Sequence, residues 1–213
     1  MKKNYAILGL GSYGKYLTEN LYNAGADVLI ADFDEELVSQ FADKCTYAVT
    51  ADLSDPDAIK ALGIKNMDVV IICMGQSLGP SVMCTMVAKE MGVPLVIAKA
   101  TTKQMEAILY KVGADKVINI EEDAAYRAAR RFLSENFLDY FDFGDNLAIV
   151  DLYPKSDWVG KNLKELHLRE KYNINVIAVK SDNEMSSHID PMLPLTKDSR
   201  LVVVGDKADI AKL

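Results

Sequence analysis

The stretch that decides the fold is YAILGLGSYGKYL, residues 5–17. Its first four residues are an apolar run, and Gly9, Gly11 and Gly14 then space out a G-x-G-x-x-G turn that opens a helical pattern. In such a strand–turn–helix, Gly9 permits the tight turn, Gly11 lets a pyrophosphate approach the backbone, and Gly14 lets the helix pack closely on the sheet. The first turn of the helix, Ser12 and Tyr13, supplies free N–H groups and a partial positive charge. Glycines alone make many compact turns. Here a second signal is in register, because the next apolar run, ADVLIAD at 26–32, ends on Asp32, 21 residues after Gly11. A carboxylate there accepts hydrogen bonds from both ribose hydroxyls and repels a 2′-phosphate. An adenine nucleotide, ATP, ADP or NAD(H), therefore fits this turn better than NADP.

Outward from the turn, short β-branched runs alternate with helical patterns. YAILGL (5–10), ADVLIAD (26–32), DVVIICM (68–74), PLVIAK (94–99) and KVINI (116–120) read as buried strands, with TYAVTAD (46–52) a weaker sixth. Helices are predicted over 12–24, 34–42, 56–62, 79–91 and 102–112. The alternation predicts an α/β fold, a Rossmann-like doubly wound parallel sheet covered by helices on both faces. Asp34 and the pair Asp55-Pro56 read as helix starts. Asp52 and Gly75 fall at strand ends on the carboxyl edge of the sheet, beside the crevice where such folds bind cofactors. Asp52 is equally readable as a capping acid.

From Glu121 the pattern changes. EEDAAYRAARRFLSENFLDYF predicts one long helix over 121–141, and Phe143-Gly144-Asp145-Asn146 reads as a linker. Beyond it come LAIVDLYP (147–154), a helix around 162–170, NVIAVK (175–180), a proline-containing loop and RLVVVG (200–205). Two domains are expected, 1–142 and 146–213, the second a small α+β unit.

Composition narrows the function. The chain has 213 residues, half of them hydrophobic, and a net charge of −7, so it has no general attraction for nucleic acid or anionic lipid. Cys45, Cys73 and Cys84 show no C-x-x-C spacing, and reduced thiols point to the cytoplasm. The opening MKKNYAILGLG reads as a first strand, not a leader. No Tyr-x-x-x-Lys pair is present, and the only histidines, His167 and His188, lie in the C-terminal segment, His167 on an expected helix face. A nucleotide site without placed acids or bases suggests sensing more than chemistry. A NAD-dependent oxidoreductase is the alternative, with its substrate groups supplied by the C-terminal segment.

The chain resembles the cytosolic regulatory subunits of Ktr/Trk-type bacterial potassium uptake systems, which join a regulator-of-potassium-conductance (RCK) domain to a small C-terminal domain. The resemblance rests on YAILGLGSYGKYL, ADFDEELV and KVGADKVINIEEDAA at the front, and on SDWVGKNLKELHLREKYNINVIAVK and RLVVVGDKADI at the back. It implies a nucleotide-sensing subunit that gates a membrane potassium-translocating partner, or a relative that regulates an antiporter or efflux system. It places Asp52, Gly75 and Lys99 near the nucleotide, and Glu121 where a carboxylate helps hold Mg2+ beside a triphosphate. The same carboxylate is otherwise a helix-start acid. The 121–141 segment becomes a crossover that pairs subunits into a homodimer, assembling further into a ring of eight. Leu163, Leu168, Arg169, Asn175 and Pro191 fall on the stretch where some relatives bind cyclic di-AMP. One departure is clear. Many Ktr-type members carry an arginine directly after the second glycine, and this chain has Ser12-Tyr13. Either Lys15 supplies the charge or the site prefers NAD(H).

Overall fold

The computed structural model describes residues 3–133, 136–144, 146–181 and 184–213. The chain divides into two compact units, Met1–Glu122 and Asp123–Leu213.

The first unit is built on β1 (Asn4–Leu8), β2 (Asp27–Asp32), β3 (Tyr47–Thr50), β4 (Val69–Ile72), β5 (Leu95–Lys99) and β6 (Lys116–Ile118). They form one parallel sheet in the order β3-β2-β1-β4-β5-β6, with Ile7 opposite both Ile30 and Ile71. The order reverses between β1 and β4, which opens the crevice of a doubly wound sheet at their carboxyl ends. Helices α1 (Ser12–Asn23), α2 (Glu35–Gln40), α3 (Pro56–Ala61), α4 (Leu78–Glu90) and α5 (Lys103–Val112) connect the strands. Because successive side chains of a doubly covered strand enter opposite layers, β1 sends Ala6 and Leu8 into one core and Ile7 into the other. Local chemistry fixes the helix starts. The Asp34 carboxylate accepts from the Glu36 and Leu37 N–H groups, Asp55 from Asp57, and the Thr102 hydroxyl from Met105. All three cysteines are buried, and burial pushes the Cys73 and Cys84 thiols up to about 12.

The edge of the first sheet is pinned by Asp115, whose carboxylate accepts from the Lys89 ammonium at 2.8 and 2.9 Å and from the Val96 N–H at 2.7 Å. Partial burial pushes this carboxyl up, but the Lys89 hydrogen bond, the Val96 N–H and the lysine's charge outweigh it and hold it below the usual range. A depressed carboxyl stabilises the fold fully above the unfolded-state pKa and ceases to do so as pH falls through the folded-state value. With a third of the side chain exposed, solvent screening leaves a contribution of about 1 kcal/mol. Asp115→Asn is therefore expected to lower the melting temperature near neutral pH, and the gap to wild type should close as pH falls below the usual carboxylate range. A gap that stays constant with pH, followed by thermal melts, would show that the ion pair adds nothing.

The second unit begins inside α6 (Ile120–Leu133). Its sheet is antiparallel, in the order β10-β9-β11-β8-β7, from β7 (Phe137–Asp142), β8 (Leu147–Leu152), β9 (Asn175–Ser181), β10 (Glu184–Ser186) and β11 (Arg200–Asp206). Short helices α7 (Leu163–Leu166), α8 (Leu168–Tyr172) and α9 (Lys207–Ile210) complete it. Its core gathers Trp158, Leu152, Leu201 and Ile174, each no more than 1% exposed. No helix among the described residues is long and apolar enough to cross a membrane.

Three expectations are corrected here. The helix predicted over 121–141 ends at Leu133, and residues 137–142 are a strand. FLDYFD alternates, burying Tyr140 opposite Val150 while Asp139 and Phe141 face the other way, and pairing with β8 satisfies its backbone. The linker expected at 143–146 instead falls in the β7–β8 hairpin, where the Phe143 N–H donates to the Leu147 carbonyl at 3.0 Å. Asp145 lies outside the described residues. The single helix expected around 162–170 is two helices broken at His167, whose φ is 49°. Leu166 and Leu168 are both 4% exposed in the same core. In one continuous helix, residues two apart face nearly opposite sides, so the break is what lets both be buried.

Candidate functional site

The glycine turn lies at the carboxyl end of β1, between β2 and β4, and the Gly9 N–H donates to the Ala31 carbonyl at 2.8 Å. Gly9 has φ 99°, a conformation that a side chain disfavours. At Gly14 a Cβ would sit 2.1 Å from the Gly9 carbonyl oxygen, so the start of α1 rests directly on the turn. At Gly11 a Cβ would meet nothing within 4 Å. That is open space in front of the backbone. No side chain caps α1, unlike α2, α3 and α5, and its first turn carries no acid. The uncapped N–H groups of this twelve-residue helix face the opening at Gly11, which is the anion-binding end of a helix.

Asp32 closes the site from β2. It is 7% exposed. Its Oδ2 accepts from the Leu10 N–H at 2.5 Å and its Oδ1 from the Asp34 N–H at 3.1 Å. One carboxylate thus ties the glycine turn to the start of α2, and each oxygen keeps a lone pair for a further donor. Ser12 is exposed at the helix start. Tyr13 is half-buried against the apolar layer that includes Cys73, and burial, with the neighbouring thiol, raises its phenol above the usual range.

The remaining front-half residues sit around the same edge. Asp52 is exposed, and its Oδ1 accepts from the Ser54 hydroxyl at 2.6 Å and the Ser54 N–H at 2.8 Å, which hold its carboxyl below the usual range. Gly75 is buried, and a Cβ there would press at 3.1 Å on the Lys99 stem and on the Thr101 methyl. The Lys99 side chain is only 14% exposed, and its ammonium meets the Glu121 Oε1 at 2.6 Å. This hydrogen bond is the main reason that the Glu121 carboxyl lies below its ordinary range. Among the described residues no three His, Cys, Asp or Glu side chains gather as a metal site. Glu121 alone suits Mg2+ only if phosphate oxygens complete the shell.

Two patterns near the turn resemble motifs of other chemistries. Lys15 directly follows Gly14, as a phosphate-binding lysine does in a P-loop, but Tyr16 stands where that loop needs Ser or Thr. The structure turns the Lys15 ammonium toward the Phe41 ring, 5.9 Å from its centroid. Gly75-Gln76-Ser77-Leu78-Gly79 has the spacing of a nucleophile elbow. At Ser77, however, φ is −119° and ψ 94°, an ordinary extended conformation without an elbow's strain.

In the second unit, Leu163, Leu168, Arg169, Asn175 and Pro191 line a single cavity of about 540 Å³. They come from α7, α8, β9 and the loop before β11. The capping box of α7, in which Asn162 and Glu165 bond each other's backbone N–H, sets one wall. Lys164 and His167 line the cavity as well. Neither was assigned to this site from the sequence, where His167 reads as part of a solvated helix face.

Comparison with known proteins bears on the whole chain. The TrkA-N domain family matches residues 5–120 and the TrkA-C domain family residues 147–213. The chain is 33% identical to Ktr system potassium uptake protein C of Bacillus subtilis (strain 168), over all of this chain and 96% of that protein. It is 30% identical to Ktr system potassium uptake protein A of Vibrio alginolyticus, over 98% of this chain and 95% of that one. Among solved structures, the GsuK channel bound to NAD superposes with a TM-score of 0.66 at 17% identity, covering 99% of this chain. This chain spans only 38% of that channel's chain, and at this identity the likeness shows the fold alone. The chain belongs to the Ktr/Trk-type family of potassium uptake proteins, built from a TrkA-N and a TrkA-C domain.

Proposed function

We propose that this chain is a cytoplasmic, nucleotide-sensing regulatory subunit that gates a membrane potassium-translocating partner. The observation that carries the proposal is the open, uncapped glycine turn facing a fixed Asp32 carboxylate. Gly11, Ser12 and Gly14 offer N–H groups and space to phosphates, while Gly9 makes the turn and Tyr13 wedges α1 against the sheet. Asp32 takes the ribose hydroxyls. Lys99 is the cation this reading assigns to the phosphates, since Lys15 is turned to Phe41. Asp52 and Gly75 border the crevice, Asp52 by shaping its loop through Ser54. Engaging Lys99 requires loosening its pair with Glu121 at the start of α6, and that frees Glu121 to hold Mg2+ against a triphosphate. Lys99→Met is accordingly expected to weaken ADP and ATP binding about tenfold with little loss of stability, because its stem still packs on Gly75.

The second cavity takes cyclic di-AMP, with Arg169 and Asn175 as polar contacts and Leu163, Leu168 and Pro191 as the apolar bed. The subunits form homodimers that build a ring, octameric by analogy with the family, beneath the membrane partner. A ligand shifts the ring between two shapes only by binding them unequally. The test is potassium flux through proteoliposomes holding a Ktr-type potassium-translocating membrane subunit. Flux should depend on added protein and change between ATP and ADP. Flux indifferent to the protein would overturn the regulatory role, and flux that needs the protein but ignores nucleotides would overturn nucleotide sensing.

A further inference from the structure

The cavity of the second unit has an apolar floor and a charged rim. Lys164 on α7 and Arg169 on α8 bring fixed positive charge, and Glu170 on α8 brings a carboxylate. β9 and the loop around Pro191 contribute no titratable side chain to it. Histidine is the side chain that can gain or lose a proton near neutral pH, and His167 is the one histidine lining the cavity. It is also one of the two non-glycine residues with positive φ among the described residues, the other being Asn173, and the two bracket α8. Non-glycine residues held in this region cost energy and persist where the surroundings need them. Here the turn buries Leu168 in the core while the imidazole remains on the rim, its side chain 52% exposed. The His167 Nδ1 lies 3.1 Å from the Glu170 Oε2. With Nδ1 beside Glu170, Nε2 is the ring nitrogen left to face an incoming anion, and in the protonated ring it is a donor.

We propose that His167 contacts a phosphodiester of the cyclic dinucleotide in this cavity and makes its binding proton-linked. This deepens the cyclic di-AMP site proposed above and rests on it. A phosphodiester keeps its negative charge throughout the neutral range, so the ligand brings no pH dependence of its own. Lys164 and Arg169 set a constant attraction. His167 adds to it only when protonated, so binding tightens as pH falls.

The experiment is calorimetric titration of the full chain with cyclic di-AMP at about pH 6 and about pH 8. Wild type should bind about five- to tenfold more tightly at the lower pH. His167→Asn should remove that difference, since asparagine tolerates the left-handed backbone but does not titrate. Arg169→Gln should weaken binding at both pH values and leave the ratio intact. A wild-type affinity that is flat with pH, or a dependence that survives in His167→Asn, overturns the role of His167. No binding at either pH overturns the cavity assignment itself, a result distinct from binding without a pH dependence.

Discussion

Replacing Gly14 by alanine is expected to destabilise the first unit by about 3 kcal/mol and to abolish nucleotide binding. Two effects oppose each other. Gly14 is inside α1 with ordinary helical geometry, so propensity alone would make alanine stabilising by about 1 kcal/mol. Sterics outweigh this, because the added Cβ would lie 2.1 Å from the Gly9 carbonyl oxygen and 3.4 Å from the Cys73 Cβ. The Gly9 contact is to backbone, which has no rotamer to escape into. Either α1 lifts from the turn or the turn opens, and each displaces the N–H groups that would meet phosphate. Thermal melts should show a fall of about 10 °C. Alanine at Gly11, by contrast, meets nothing in the free protein, so it should leave the melt nearly unchanged while impairing binding. If Gly14→Ala were as stable as wild type, the close rest of α1 on the turn would be wrong.

Asp32→Ala is expected to weaken adenine nucleotide binding at least about a hundredfold, because two charge-assisted hydrogen bonds to the ribose are lost together. The fold should survive at a cost. Leu10 is fully buried, and its N–H loses its carboxylate acceptor, a penalty of about 1–2 kcal/mol. Asp34 loses a weaker contact at 3.1 Å. Asp32→Asn keeps the volume and removes the charge, so it separates recognition from architecture. That variant should narrow the preference for NADH over NADPH, since the repulsion of a 2′-phosphate disappears. Equal affinities for the two cofactors in wild type, measured by fluorescence titration, would contradict the assignment of Asp32 to the ribose.

How much of this was legible in the sequence differs between the two units. The Rossmann half was, because its signals are local. Gly9, Gly11, Gly14 and Asp32 stand at fixed offsets, and Asp34 and Asp55 mark helix starts by side chain-to-backbone bonds. The second half depends on partners distant in the chain. FLDYFD follows a helix and has apolar residues at helical as well as strand spacing, and only pairing with β8 decides the matter. KELHLRE likewise reads as one helix until the need to bury both Leu166 and Leu168 breaks it at His167. β10, three residues long and paired only with β9, carries too little pattern to be seen. The five cavity residues had no local signal at all. Family resemblance supplied them, and the structure then brought them into one cavity with His167 beside them.

The membership in a potassium uptake family and the chemistry of the first site meet in one claim, that the glycine turn binds an adenine nucleotide as a signal and does not turn it over. The most direct measurement is calorimetric titration of the full wild-type chain with ATP, ADP and NADH, with and without Mg2+, followed by product analysis of each mixture. Saturable binding of at least one of these nucleotides is expected, lost in Asp32→Ala, with every nucleotide recovered unchanged. No binding of any adenine nucleotide, or steady conversion of NADH in the presence of a carbonyl substrate, would contradict it.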